Sequence, residues 1–507
     1  MLLADLPEEI LHHIFSNHFS KDNHSLALLA SLSKRFNRIA TPILYSHVTL
    51  GVEDGDESRK VRRFVMSVFS NPYLAQCVRS LELNALPWVS HQSLSRRRKD
   101  IAERNVARDI LGRPDRLDMF KLAAVVRRLP LVDEHKRHWC SELQESSPSL
   151  DALIALAFVF LPDLSRLESN WSSNPIFIWR MLPETYSSKV DSKLTALALR
   201  NLTHLKVNSE FPCGNSSEIL PFFQMPSLAH FFGSNWGPIR RDGWFDGAEN
   251  GTVEDPESDG KIRESPIVHL ELRHCSIDSY SLQTIVQKCL SVRTFILHRD
   301  WDPRLHVRLP ADSITKALHP LRGTLENIAL SFEPGIYIHQ EGEVYPLDFS
   351  HFPVLTNLSV AVGYIMHDPQ DFDPPRFSQN HDSGSGRDRL IDVVPLHDRL
   401  PESLEVLRIG GFSTQPQMQY LIDDCCRLLQ RRSQFPRLRE LWIEASFDEP
   451  DSAFDTRALR LKAHSADVRL RGIDNTEIPF RDTDDLHTNA GYNWGMNGEF
   501  KWATKLF

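Results

Sequence analysis

Ile267-Val268-His269-Leu270-Glu271-Leu272-Arg273-His274-Cys275 is the stretch that decides how this chain is built. Leu270 and Leu272 alternate with Glu271 and Arg273, the period of a strand with one apolar face, and Ile267 turns the chain inward three residues ahead. The same L-x-x-L-x-L spacing returns at Val78/Leu81/Leu83, Leu202/Leu205/Val207, Val292/Phe295/Leu297 and Leu325/Ile328/Leu330. It continues at Leu355/Leu358/Val360, Leu404/Leu407/Ile409 and Leu438/Leu441/Ile443, with weaker copies at Leu164/Leu167 and Leu228/Phe231.

Helical stretches such as Ser279 to Cys289 and Gln417 to Arg432 lie between copies. Several copies follow a proline turn: Leu161-Pro162, Met225-Pro226, Phe352-Pro353, Leu400-Pro401 and Phe435-Pro436. Proline stops the preceding helix and sets up the strand. Helix, turn and strand repeated in this order predict parallel strands on one side and helices on the other, an α/β architecture. We read it as an irregular leucine-rich-repeat solenoid. Successive middle residues from Leu270 to Leu441 are 25, 33, 30, 49 and 34 apart. Most of these exceed the roughly 20–29 residues of the common repeats. Only the copy at 267–275 carries the closing Cys or Asn, so an α/β domain with leucine-rich strands stays open as an alternative. Gly237 to Pro266 and Met366 to Asp392 lack apolar periodicity and are expected to be loops. The expected segments are a helical module at 1–50 and a helical linker with the first repeat at 51–150. The solenoid then spans 151–446, with loops at 237–266 and 366–392, and a cap or tail covers 447–507. Tyr492, Trp494, Phe500, Trp502 and Phe507 would seal the last repeat, and the helical block from Ser93 to Pro148 would pack between module and repeats.

The first fifty residues read differently. Leu6-Pro7-Glu8-Glu9 opens a helix, since proline suits the first turn and acidic residues complement the helix dipole. Ile10, Leu11, Ile14 and Phe15 recur at helical spacing; a second helix carries Leu26, Leu28, Leu29 and Leu32. Ser33 caps a third helix through Phe36 and Ile39, expected to end before Pro42. Three helices this short cannot bury all their apolar faces on one another, so the remainder must meet the body or another chain.

The string Leu-Pro-x-Glu-Ile-Leu-x-x-Ile-Phe, followed by Leu-Leu-Ala-Ser-Leu-Ser-Lys-Arg-Phe-Asn-Arg-Ile-Ala-Thr-Pro-x-Leu-Tyr, resembles an F-box of the kind common in fungi, over about residues 4–50. The resemblance implies a short all-α F-box-like module that docks on a Skp-type linker protein and through it on a cullin–RING ligase. It maps linker contacts onto Leu6, Pro7, Ile10, Leu11, Ile14 and Phe15, with Leu28, Leu32 and Phe36 on the following helices. Many F-boxes carry tryptophan where this chain has Phe36.

Other function classes are disfavoured. A net charge of −9 supplies no basic face for nucleic acid. The longest apolar run, Ala152 to Leu161, is about half of the roughly 20 residues needed to cross a bilayer. The first residues lack a basic start with an apolar run, so a cytoplasmic or nuclear location is expected. Seven scattered cysteines without C-x-x-C spacing suit a reducing compartment as small buried hydrophobes. Of the adjacent Cys425 and Cys426, one is expected in the core. No phosphate loop, dinucleotide fingerprint, nucleophile elbow or H-E-x-x-H motif occurs, so neither catalysis, a cofactor nor a metal is expected. The reading is therefore a substrate-receptor subunit of a ubiquitin ligase that holds an unknown target protein on its strand face. Glu271, Arg273, Arg408 and Glu444 are the candidate target-facing positions. The alternative is a repeat scaffold outside any ligase, with the first helices as a structural cap.

Overall fold

The structure is a computed structural model that describes residues 6–19, 22–51, 57–86, 116–129, 131–144, 149–171, 177–178, 181, 199–209, 214–239, 265–299, 309–332, 346–365, 394–410, 415–445, 457–474, 492–494 and 500–502. It comprises two compact units, residues 1–270 and 271–507.

The first unit opens with α1 (Glu8–His18), α2 (Asn23–Leu32) and α3 (Lys34–Ser46). Each start is set locally. Pro7 occupies the cap position of α1, Asp22 accepts from Ser25 N at 3.0 Å, and the Ser33 hydroxyl accepts from Phe36 N at 3.1 Å. The third helix does not stop before Pro42 as its sequence suggests; Pro42 lies inside α3, which runs on to Ser46. Proline forfeits one backbone hydrogen bond there, and packing of Ile39, Ala40, Ile43 and Leu44 into the module holds the turn. The chain continues through β1 (His47–Leu50), α4 (Glu57–Ser70), α5 (Pro72–Cys77) and β2 (Ser80–Leu86). Next come α6 (Arg116–Arg128), α7 (Asp133–Gln144) and α8 (Leu150–Phe160). In α8 every residue from Asp151 to Phe158 is buried. It lies against α4, where the Phe69 and Phe160 rings are 5.2 Å apart, and against α7, where Trp139 Nε1 donates to Ala152 O at 3.0 Å.

The strands β3 (Arg166–Trp171), β4 (His204–Ser209) and β5 (His230–Ser234) complete the unit's part of the sheet. Strands β1 to β5 pair in chain order, all parallel, with Val48, Leu81, Leu167, Leu205 and Phe231 in one register line. Strand β6 (His269–Cys275) contains the boundary between the units.

In the second unit α9 (Ser279–Gln287) leads to β7 (Thr294–Arg299), and α10 (Ala311–Leu318) to β8 (Asn327–Phe332). Strands β9 (Asn357–Ala361) and β10 (Val406–Gly410), α11 (Gln415–Gln430), β11 (Glu440–Ala445), α12 (Arg457–Ser465) and β12 (Arg469–Asp474) follow. Strands β7 to β12 pair in chain order and in parallel, aligning Phe295, Ile328, Leu358, Leu407, Leu441 and Leu470.

Every L-x-x-L-x-L copy lies at one of these strands, and all its apolar positions are buried. Each fully buried leucine-sized side chain contributes roughly 1.5–3 kcal/mol of transfer free energy, so the rows form the core of the sheet. In every copy except the one at 267–275, where the Ile267 amide donates to the Ser265 hydroxyl at 3.4 Å, the leading residue closes a turn through its backbone. Leu164 N donates to Leu161 O at 3.4 Å, Leu355 N to Phe352 O at 3.2 Å and Leu438 N to Phe435 O at 3.1 Å. Pro162, Pro353 and Pro436 sit second in these turns, where their fixed φ is favourable.

The spacing pattern ends at residue 443, but the sheet gains one further strand, β12, beyond the expected end of the array at 446. Its register residue Leu470 is only half-buried and Asp467 stands at the leading position; the buried residue just ahead of this strand is Val468, one place later. Residues 240–264 of one expected loop and all of 366–392 lie outside the described residues. Among the C-terminal aromatics, Tyr492–Trp494 and Phe500–Trp502 pair antiparallel, while their side chains and Phe507 also lie outside. Both Cys425 and Cys426 are buried, not one: α11 packs on α12 as well as on its own unit's core, which widens its apolar face to include Ile422 and Leu429.

Candidate functional site

The N-terminal module has a core of its own. Leu11, Phe15, Leu26, Phe36, Ile39 and Ala40 are buried together, with Leu6, Ile14, Phe19, Leu29, Ile43 and Leu44 packed around them. The Phe15 ring meets Phe36 edge-on at 5.7 Å and Phe19 at 6.3 Å, the geometry aromatic quadrupoles favour. Glu8, in the first turn of α1, pairs with Arg38 and with Arg35, the latter at 3.6 Å. Arg35 Nη2 also donates to Leu6 O at 2.5 Å. These contacts fasten the start of α1 to α3 across about thirty residues, and no spacing in the sequence announces them.

Once this core is filled, apolar surface is left over. Ile10 remains 47% exposed, Leu28 54% and Leu32 67%, and Pro7 is exposed. Pro7, Ile10 and Ile14 line one side of α1 at helical spacing; Leu28 and Leu32 line one side of α2. The nine linker-facing positions implied by the resemblance therefore fall into three groups. Pro7, Ile10, Leu28 and Leu32 are open, Leu6 and Ile14 are half-buried, and Leu11, Phe15 and Phe36 are interior. Adjacent helical residues lie about 100° apart around the axis, so Ile10 and Leu11 cannot share an environment.

The strand face opposite the buried leucines carries the other candidates. Glu271 is fully buried and Arg273 nearly so, contrary to the exposure that alternation suggests, and the two are ion-paired to each other. Alternation correctly turns them away from Leu270 and Leu272; it carries no information on whether that side is open. A buried charge needs a partner, and here each supplies the other's. Arg408 is half-buried and helps line a cleft of about 340 Å3, while the Glu444 side chain lies outside the described residues. The first unit presents a row of imidazoles on the corresponding face. His204 and His230 stack at 4.3 Å and 7°, and His269 follows at 5.9 Å from His230. Burial, then the neighbouring His204, His269 and Arg166, lower the His230 pKa to about 4; burial lowers that of His204. Stacked rings turn faces, not nitrogens, toward one another. Among the described residues no group of three His, Cys, Asp or Glu side chains is placed to hold a metal, and no helix is long and apolar enough to cross a membrane.

Residues 3–51 match the F-box-like family, so this segment is an F-box-like domain. No curated protein matches the chain.

Proposed function

We propose that the chain is a substrate-receptor subunit of a Skp–cullin–F-box-type ubiquitin ligase. An F-box-like domain suggests an adapter role in ubiquitin ligases, and such domains generally bind Skp-type linkers. The observation that carries the proposal is the apolar surface left open on α1 and α2 although the module already has a closed core. The linker would cover Pro7, Ile10, Leu28 and Leu32 by helix-in-groove packing. Leu11, Phe15 and Phe36 would support that surface from below and not touch the partner. The parallel strands beyond, read as an irregular leucine-rich-repeat solenoid, would hold the target protein. The chain itself would perform no covalent step and bind no cofactor. Its contribution would be proximity, raising the local concentration of target lysines at a separate transferring enzyme.

Burying two leucines is worth roughly 3 kcal/mol or more together, so Leu28→Ala with Leu32→Ala should weaken capture of a purified Skp-type linker about 100-fold. The circular dichroism spectrum and thermal unfolding should stay those of the native chain, because both side chains are largely solvated. Undiminished capture by a folded double variant would refute the docking surface.

A second reading has its own support. Strand β1 directly follows α3 and pairs with β2, and Arg79 N donates to Ser46 O at 3.0 Å. The module is thus joined to the sheet, as a structural cap of a scaffold outside any ligase would be. That reading expects no linker in the capture experiment at all.

A further inference from the structure

Pairing of β7 to β11 brings two rows together on the face opposite the leucines. Thr294, Asn327, Asn357 and Val406 follow one another in the first row, and Ile296, Ala329, Ser359, Arg408 and Trp442 in the second. Both rows line the cleft of about 340 Å3, and the small side chains of Ala329 and Ser359 make its floor. Ligand pockets typically hold about 300–1,000 Å3, so this one has room for a side chain of a partner.

The first row is a hydrogen-bonded ladder with a direction. Asn327 Nδ2 donates to Thr294 Oγ1 at 3.1 Å, and Asn357 Nδ2 donates to Asn327 Oδ1 at 2.7 Å. Asn357 Nδ2 also donates to Thr356 Oγ1 at 3.0 Å. The Thr356 hydroxyl gives its one proton to Glu326 O at 3.1 Å, so toward Asn357 it can only accept. That fixes which end of the Asn357 amide is nitrogen. Both of its N–H groups are engaged, and Oδ1 is left as an acceptor without a partner. Val406, next in the row, has no donor to offer it. The Ser359 hydroxyl, two residues along β9 on the same face, has no hydrogen-bond partner either.

The charges of the lining are already matched within the chain. Glu440 accepts from Trp442 Nε1 at 2.9 Å and pairs with Arg469 at 3.2 Å; Arg439 pairs with Glu405 at 2.9 Å. Arg408 has a partner too. A charged group entering here loses its hydration and meets no free counter-charge, which is costly. The open atoms instead match a neutral group that donates and accepts at once.

We propose that this cleft receives a carboxamide, the side chain of a glutamine or asparagine on a partner protein. Its N–H donates to Asn357 Oδ1 and adds a rung to the ladder, its C=O accepts from the Ser359 hydroxyl, and its methylenes lie over Ala329. A carboxylate has no proton for Asn357, an ammonium has no acceptor for Ser359, and a thioether of similar length supplies no donor. The partner's role as a ligase target rests on the adapter reading; the binding itself does not. Nucleobase edges also pair a donor with an acceptor, but they arrive on phosphates, whose approach the net charge of −9 opposes.

The test uses the full chain and a fluorescein-labelled peptide of glycine and serine with one central glutamine between two leucines. Its companions carry Glu, Lys or Met in place of the glutamine, and a labelled oligodeoxyadenosine is the fifth probe. By anisotropy, the glutamine peptide should bind at least about tenfold more tightly than each of the others, the loss expected for two neutral hydrogen bonds. Ser359→Ala, which removes the hydroxyl, should weaken the glutamine peptide about fivefold and leave the methionine peptide unchanged. Ser359→Tyr, which fills the cleft, should weaken the glutamine peptide about tenfold or more. Both variants should keep the native thermal unfolding. The proposal is overturned if the native chain does not bind the glutamine peptide, binds the probes alike or prefers any other of them. It also falls if either folded variant binds the glutamine peptide as well as the native chain does. Linker capture is measured on the same preparations. A chain that selects the glutamine peptide but captures no linker refutes the adapter reading and leaves the cleft standing; the converse refutes the cleft alone.

Discussion

Ile10 and Leu11 differ by one methyl position and one place in the sequence, yet one faces solvent and the other is wholly buried. Truncating Phe15, which is enclosed by Phe19 and Phe36, should cost about 3–5 kcal/mol, as for other buried aromatics. That is enough to melt a module of three short helices, so Phe15→Ala should abolish amide protection in α1 to α3 and linker capture with it. Ile10→Ala should leave protection unchanged and reduce capture alone, and hydrogen exchange separates the two outcomes. Ser33→Ala removes the hydroxyl that accepts the Phe36 amide. It should lower the opening free energy of the first turn of α3 by about 1 kcal/mol in the same measurement.

At the scale of the element, strands β4 and β5 and the start of β6 carry the imidazole row. The folded His230 pKa of about 4 lies below the ordinary value of 6.5. Between these values the unfolded chain binds the proton that the folded chain refuses. Stability from this group is therefore complete above about pH 6.5 and is lost as pH falls toward about 4. Arg166 and His269 reinforce the effect by opposing a positive charge on the ring, although burial is the larger cause. The urea midpoint of the native chain should drop between pH 7 and pH 5. In His230→Phe, which keeps a stacked ring and removes the titration, the drop should be smaller. An identical drop in both proteins would exclude His230 as its source.

For the molecule as a whole, the join at Ser46 and β1 matters for how the N-terminal region is tested. Strand β1 covers one edge of β2, and removing residues 1–50 would leave that edge's backbone groups unpaired. The truncated chain, residues 51–507, should elute from a size-exclusion column as aggregate, whereas Leu28→Asp with Leu32→Asp should elute as the native protein does. Loss of linker capture in the truncation is then uninformative, and only the point variants report on docking. A monodisperse truncated chain would show that β1 is dispensable.

Periodicity was enough to place strands β2 to β11. Alternating leucines fall on strands because a pleated chain turns every second side chain to the same face, a rule that needs no knowledge of neighbours. The helix starts at Pro7 and Ser33 were legible for the same reason, since caps act within one turn. Three other features depend on residues far apart in the chain. Pro42 stays helical because tertiary packing outweighs its local penalty, Glu271 and Arg273 are enclosed although their alternation points outward, and Ala329 and Ser359 meet as a cleft floor only through the register of β8 on β9. Whether an outward side chain is open or covered is settled by what the chain lays over it, and spacing along a single segment contains no term for that.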